Sequence, residues 1–448
     1  MRILHYSLGF PPYRSGGMTK YCLDLMLTQK EQGNRVGLLW PGEINFLKKN
    51  SVLKRKDNYG LESYEIINPL PVPMDEGVRD IEYYMTDGDS EICEQFLRSY
   101  KADVLHIHTL MGLHKEWITA AQKAGVKTLF TTHDYYGICP KVTLYREGSV
   151  CDCDHECVDC INCNNKGLAQ SKIKLLQSPI YRKIKNCGPV KKIRKKHRCN
   201  FYLQSAATAP AALKEHSKSE VKETIKKTDY QSLRQFYLSM LTGIDVIHFN
   251  SSVTQKVYMR YFIPENSSVI PISHRGIEDN RIIKAFDSDD LRISFLSPFK
   301  PFKGSTIIKD ALDEIWAQEK HNFSLRIIEH IESPSPYMII QDGYEYDELK
   351  KIFEETDLLI APSICYETFG FTVLEALSHG VPVLVSENVG AKDLIKKEYG
   401  IVIAPDKEAL KEAILQLLGD KTKCRLMNLN NIKKFTAPSV RDIERLYI

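Results

Sequence analysis

Long apolar runs are missing from this chain, and none approaches the ~18 residues that a membrane-crossing helix needs. The opening stretch, MRILHYSLGF, has neither the basic start nor the long apolar centre of a secretory leader. It reads instead as a first buried strand, so a cytosolic setting is expected. No internal repeat is visible, which sets aside repeat architectures. Acidic residues are missing over one long stretch: Ile161 to Lys214 holds thirteen Lys plus Arg and no Asp or Glu. The whole chain carries only +4, so everything outside that stretch carries −9. One basic segment on an otherwise acidic protein calls for an anionic partner.

What is present is an ordinary globular composition, 43% hydrophobic and 26% charged, over 448 residues, enough for two domains. The most informative stretch runs from Asp357 to Leu394, DLLIAPSICYETFGFTVLEALSHGVPVLVSENVGAKDL. DLLIA and PVLVS are apolar runs of the kind a strand buried on both faces shows. Between them TVLEALSHG has helical spacing and stops at Gly380, with Pro382 beyond. Glu367 and Glu375 stand eight positions apart, either side of Gly370, which opens the helix. A helix that starts at the carboxyl end of a strand turns its free N–H groups toward the ligand crevice of an open α/β sheet, where a phosphate is favoured.

The same logic recurs along the chain. RILHYS leads through GFPPYRSGG into a helical pattern, with Gly16 and Gly17 where a backbone must approach a ligand closely. ADVLHIH, VKTLFTTHDYY, DVIHFNSS, SVIPISHRG and LRISFLS continue as strands between helical stretches, which argues for doubly wound parallel sheets. GIEDNRIIKAFDSDDLR reads as a polar interdomain linker. KPFKG then puts Lys300, Lys303 and Gly304 between a strand and a helix. His133, beside Asp134, ends a strand, while His106 and His108 share one face of another and weigh toward structure.

E-T-F-G-F-x-x-x-E-A-x-x-x-G-x-P-V, between two buried strands, resembles the donor site of retaining nucleotide-sugar glycosyltransferases of family 4, bacterial polysaccharide type. The resemblance implies a GT-B fold: two doubly wound, Rossmann-like α/β domains facing across a cleft. It implies an acceptor-side domain over 1–285 with an insertion near 139–240, a donor domain over 286–430, and a tail, 431–448, crossing back to the first domain. It implies catalytic roles for Glu367, Lys303 and His133. Gly16, Gly17, Lys300, Gly343, Tyr344, Phe369, Gly370, Phe371 and Glu375 are expected to hold the donor. Family members carry Gly-Arg where this chain has Ser297 and Pro298, so one of two expected diphosphate cations is missing and Lys300 is the candidate substitute. The implied reaction moves a sugar from a UDP- or GDP-sugar, with retention and without catalytic metal, onto a glycan or lipid-linked saccharide of a bacterial surface polysaccharide. A non-catalytic GT-B subunit or nucleic-acid-binding scaffold is the alternative, although no nucleic acid partner is expected.

Six of the twelve cysteines, Cys139, Cys151, Cys153, Cys157, Cys160 and Cys163, fall within 25 residues. In a cytosolic chain such spacing favours metal over disulfides, and four of the thiolates, or three with His155, suit structural Zn²⁺. The basic segment 161–214 interleaves Leu, Ile, Tyr and Phe with its cations and is expected to lie on an anionic membrane surface. The protein is therefore expected to be cytoplasmic and peripheral on the inner face of the cell membrane.

Overall fold

The computed structural model describes residues 1–448 except 12, 13, 15, 46, 58, 75, 147, 153–156, 158, 195–226 and 332. Its strands are β1 Arg2–Tyr6, β2 Arg35–Pro41, β3 Ser51–Arg55, β4 Glu62–Ile67, β5 Val104–Ile107, β6 Lys127–Thr131, β7 Tyr145–Arg146, β8 Ser149–Val150, β9 Val246–Phe249 and β10 Ser267–Val269 in the first half. The second half contributes β11 Leu291–Phe295, β12 Phe323–Ile327, β13 Met338–Ile340, β14 Leu358–Ala361, β15 Val383–Ser386 and β16 Gly400–Ile403.

Two sheets result. The first has the order β10-β9-β6-β5-β1-β2-β4-β3 and the second β13-β12-β11-β14-β15-β16. All pairings are parallel except β3 with β4, an antiparallel edge that the sequence pattern did not announce. β7 and β8 form a separate small hairpin. Strands such as LLIA and VLVS are buried on both faces because helices cover both sides, which is why they read as unbroken apolar runs. In each sheet the first strand sits in the middle, β1 between β2 and β5, β11 between β12 and β14. The strand order reverses there, and the loops leaving neighbouring carboxyl ends diverge to leave a crevice.

The linker is not the free polar segment its composition suggests. Lys284 is buried, its Nζ donating to the carbonyls of Phe353 at 2.5 Å and of Thr356, and burial pushes its amine down to about 8. Arg281 donates to the carbonyls of Asn431 and Phe435 at 3.0 and 2.8 Å. The last long helix, Thr422–Lys434, runs past the expected boundary at 430 because Asn428 and Asn431 are buried within the second half. Beyond it the chain returns to the first sheet. A helical turn, Val440–Leu446, packs on the helix Gly17–Glu31, and Tyr447 is buried there.

Candidate functional site

The second domain builds its part of the site from the loops after β11 and β14. Gly304 turns the first loop with φ 94°, and a Cβ there would lie 2.2 Å from the Pro362 carbonyl of the other loop. This contact brings Lys303 beside Glu367: Lys303 Nζ lies 2.7 Å from Glu367 Oε1, with 19% and 17% of the two side chains exposed. Ser363 Oγ donates to the other carboxylate oxygen at 2.7 Å. Burial opposes both charges. Each nevertheless favours the other's ionised form, so Lys303 is held above its usual range and Glu367 below it.

The helix Phe371–Ser378 starts from Gly370, whose φ of 101° is in the left-handed region, and no side chain caps it. Of its first-turn N–H groups, that of Val373 donates to the Gly370 carbonyl, and no side chain caps the others. The side chains of Val373, Leu374 and Leu377 are fully buried and lock the helix in place.

The first domain closes on this corner. A Cβ on Gly17 would meet the Phe371 ring at 3.2 Å, so glycine is needed where the two domains touch. Thr368 Oγ1 donates to the His133 carbonyl at 3.1 Å, and Ser251 Oγ donates to the Thr368 carbonyl at 2.7 Å. The cleft of about 420 Å³ between them is lined by Gly17, His133, Asp134, Asn250, Ser297, Pro298, Lys303, Glu367, Phe369, Gly370 and Phe371, among others. That volume suits a small organic ligand. A larger hollow of about 810 Å³ lies along the helix Lys227–Thr242; among the described residues it is lined by Arg234 but by no carboxylate, histidine or cysteine.

Glu375 sits one turn deeper. Its Oε1 lies 3.1 Å from His274 Nε2, and the His274 ring packs on Phe371 and Tyr346. Nothing in the sequence pairs His274 with Glu375, 101 positions away. Tyr344 is partly buried with Phe371, and burial followed by the charge of Glu375 pushes its phenol up to about 12. Four other candidates do not line the cleft: Gly16 starts the helix Gly17–Glu31, Gly343 turns after β13, Tyr344 packs behind Phe371, and Lys300 pairs with Glu329 at 2.8 Å.

His133 belongs to a larger group. His5, His106, His108 and His248 are fully buried behind it, and the rings of His108 and His133 stack. Burial drives all five below their ordinary range, His5 and His248 to about 4, His133 to about 3, and His106 and His108 well below it. Asp134 moves the other way, raised by burial to about 6 against hydrogen bonds from the Tyr136 amide and Thr109, and its Oδ2 is buried without a partner.

In the insertion, burial first and then neighbouring thiols raise Cys139 and Cys163, while Cys160 is raised first by its hydrogen bond with Cys157 and then by burial, so these sulfurs lie near one another and near Cys151. Cys153 and His155 lie outside the described residues. None of the described cysteines is in a disulfide. Among the described residues one group, His5, Cys22 and His108, brings three potential ligand atoms within 4.8 Å of one another, and the insertion thiols do not close that far.

Comparison with known proteins bears on this arrangement. Residues 276–434, which carry Lys303, Glu367, Gly370 and Glu375, match the model of the family described as glycosyl transferases group 1. Sucrose-phosphate synthase from Thermosynechococcus elongatus superposes with a TM-score of 0.55 at 13% identity, covering 100% of this chain and 96% of that one. HepE of Anabaena in complex with UDP gives 0.56 at 14% identity, covering 100% and 98%. The architecture is GT-B. WaaG, a glycosyltransferase involved in lipopolysaccharide biosynthesis, shares the fold with a TM-score of 0.51 at 13% identity, covering 99% of this chain and 98% of that one. In sequence, 86 residues are 37% identical to sucrose-phosphate synthase 1 of Arabidopsis thaliana, 18% of this chain and 8% of that protein. The matched GT-B segment thus spans a small part of that relative's length.

The buried histidines make stability depend on pH with a definite sign. Unfolded, each ring gains its proton near 6.5; folded, His5 and His248 resist it to about 4. Their contribution is complete above 6.5 and is lost as the pH falls toward 4. Asp134 favours the fold at low pH, but one carboxyl opposes five rings. Thermal unfolding should shift to lower temperature across this window, and His5→Gln should flatten the dependence. An unchanged slope in that variant would mean that the rings do not carry it.

Proposed function

We propose that this chain is a retaining glycosyltransferase that moves a sugar from a UDP- or GDP-sugar onto a glycan or lipid-linked saccharide in bacterial surface polysaccharide synthesis. The observation that carries the reading is the Lys303–Glu367 ion pair beside the uncapped helix start at Gly370. An arriving diphosphate offers the ammonium of Lys303 a doubly ionised partner, and the amides at Phe369, Gly370 and Phe371 supply further donors. Glu367, released from Lys303, then accepts hydrogen bonds from hydroxyls of the transferred sugar. Glu375, oriented by His274, holds the ribose; Tyr344 with the backbone near Gly343, outside the cleft of about 420 Å³, packs on the base, and the backbone at Gly16 and Gly17 approaches the donor. His133 meets the sugar from the first domain.

Catalysis in this scheme is positioning plus stabilisation of the charge that develops as the diphosphate departs. The acceptor hydroxyl attacks the anomeric carbon from the face the diphosphate leaves, the C–O bond to phosphate breaks, and the acceptor's proton passes to a departing phosphate oxygen. Retention follows without a protein nucleophile, and no step calls for a metal. That HepE is described in complexes with UDP supports a uridine donor as the first trial.

Thermal shift with UDP, GDP, ADP and TDP identifies the base, since a ligand bound to the native state raises its apparent stability. With the matching donor, Glu367→Gln and Lys303→Met should each lower kcat about 10²–10³-fold, as loss of one charge-stabilising group does. Nucleic-acid binding with no nucleotide-dependent shift would replace this reading with that of a non-catalytic GT-B scaffold, for which the Ser297-Pro298 substitution and the Lys300–Glu329 pair are the supporting observations.

The insertion is proposed to hold a structural Zn²⁺ through four of its cysteines, among Cys139, Cys151, Cys153, Cys157, Cys160 and Cys163. In support, the amides of Lys141 and Leu144 face the Cys139 sulfur, an arrangement that favours a thiolate. Metal analysis should find one zinc per chain, reduced in Cys139→Ser/Cys160→Ser; a zinc-free protein with fully titratable thiols ends the proposal.

The basic segment is proposed to seat the enzyme on the anionic inner face of the cell membrane. Leu175, Ile180, Ile184 and Ile193 are all exposed there among Lys172, Lys183, Lys191 and Lys192, while residues 195–214 lie outside the described ones. Flotation with vesicles should increase with anionic lipid content and weaken in Ile180→Asp/Ile184→Asp; equal flotation on neutral vesicles counts against it.

A further inference from the structure

Five histidines of the first domain, His5, His106, His108, His133 and His248, are joined by Gln29, Thr131 and Tyr447 into one line of hydrogen bonds. It starts at the Ile270 carbonyl, which His248 Nε2 reaches at 2.7 Å. His248 Nδ1 lies 2.9 Å from Thr131 Oγ1, which lies 2.7 Å from His106 Nε2. His106 Nδ1 lies 2.8 Å from the Tyr447 hydroxyl. Gln29 Nε2 donates to that hydroxyl at 3.0 Å, and Gln29 Oε1 lies 2.8 Å from His5 Nε2. His5 Nδ1 lies 3.0 Å from His108 Nε2, and His108 Nδ1 lies 3.1 Å from His133 Nε2 at the cleft wall.

Each ring is neutral because it is buried, so each has one donor and one acceptor nitrogen. A carbonyl oxygen can only accept. The Ile270 carbonyl therefore places the His248 proton on Nε2 and makes Nδ1 an acceptor. Thr131 must donate to that Nδ1 and accept from His106 Nε2–H. His106 Nδ1 then accepts, so Tyr447 donates to it and accepts from the Gln29 amide. With its NH₂ committed to Tyr447, Gln29 turns its oxygen to His5 and sets the His5 proton on Nε2. His108 and His133 follow in the same sense. The carbonyl at one end and the two-ended amide in the middle are independent constraints, and they agree on every proton.

We propose that Tyr447 and Gln29 are positioning residues that relay this direction to His133, holding its proton on Nε2 and leaving Nδ1 as the acceptor for a hydroxyl group bound in the cleft. Among the described residues no protein group bonds Nδ1 of His133. That the hydroxyl belongs to a sugar rests on the glycosyltransferase reading; the proton positions do not, so the two can fail separately. The C-terminal segment thereby becomes part of the site: Tyr447 links the branch anchored at Ile270 to the branch that ends in the cleft. A metal held by His5, Cys22 and His108 is the competing use of the same atoms. It would need a bare nitrogen on each of His5 and His108 facing the Cys22 sulfur, and a metal there would respond to a chelator.

The test uses the full chain with histidine labelled with nitrogen-15 at Nδ1 alone, the ends of the line being assigned by His133→Phe and His248→Phe. In the unsubstituted protein both Nδ1 signals should be those of bare nitrogen, unchanged by a chelator. In Tyr447→Phe, and independently in Gln29→Met, His133 should gain a protonated Nδ1 population while His248 remains bare. Once a donor is known, kcat/KM should fall about tenfold in Tyr447→Phe in parallel with that population. A protonated Nδ1 on His133 in the unsubstituted protein overturns the proposal. So does a His133 signal that moves when metal is stripped, or one unchanged in both folded variants.

Discussion

Everything at the cleft depends on one charge imbalance, the ion pair of Lys303 and Glu367 set against an uncapped helix start. The two side chains satisfy each other at 2.7 Å. The helix Phe371–Ser378, however, adds a positive end of roughly half an elementary charge with no side-chain cap, beside a Glu367 carboxylate already paired with Lys303. The corner is therefore short of an anion. A buried pair of this kind contributes little net stability, because desolvation offsets most of the attraction. Its consequence is specificity: an incoming anion can take the cation and set the carboxylate free for a neutral, hydroxyl-bearing group. A phosphate ester of a sugar offers both in one molecule, which is why the pair and the helix start together fit a nucleotide-sugar better than either would alone.

That imbalance is held by contacts between the domains rather than within one of them. Gly17 lies against Phe371, and Phe371 lies against His274, the partner of Glu375. Thr368, next to Glu367, is bonded to Ser251 and to the His133 carbonyl of the other domain. Asp393 accepts from the amide and hydroxyl of Ser252. A change in the angle between domains must therefore displace His133 and the Lys303–Glu367 corner together. Under the proposed function, opening the cleft to admit a donor and closing it to exclude water is the motion such wiring would couple to the chemistry.

The parts of this arrangement legible in the sequence are those written in contiguous residues. The buried strands on either side of ETFGF, the glycine that starts the helix and the lysine between β11 and its helix are local patterns, and local patterns imply a crevice at the carboxyl ends of parallel strands. The β3–β4 edge was not legible because SVLKR is half exposed and has no alternation that a parallel strand would lack. His274 was not legible as a partner of Glu375, nor Ser363 as a partner of Glu367, because these pairs are made by the folding back of loops. Lys284 looked like one more cation in a polar linker, yet it is buried with its ammonium on the Phe353 and Thr356 carbonyls at the end of the Leu349–Glu354 helix.

Lys300 shows how the same physics limits what sequence can assign. Its place near Ser297 and Pro298 makes it the natural replacement for a missing arginine, but Glu329 accepts from both Lys300 Nζ and the Phe299 amide at 2.8 Å. An ammonium with a carboxylate at that distance has no net charge to offer a diphosphate unless the pair is broken, and breaking it leaves Glu329 near the same phosphate. The helix start therefore supplies positive field at this corner that no side chain caps, while Lys303 is held by Glu367. Under the proposed function, a donor site with one releasable cation and a fixed dipole depends more on geometry than on charge, and the histidine line behind His133 is the kind of rigid, neutral support that such a site requires.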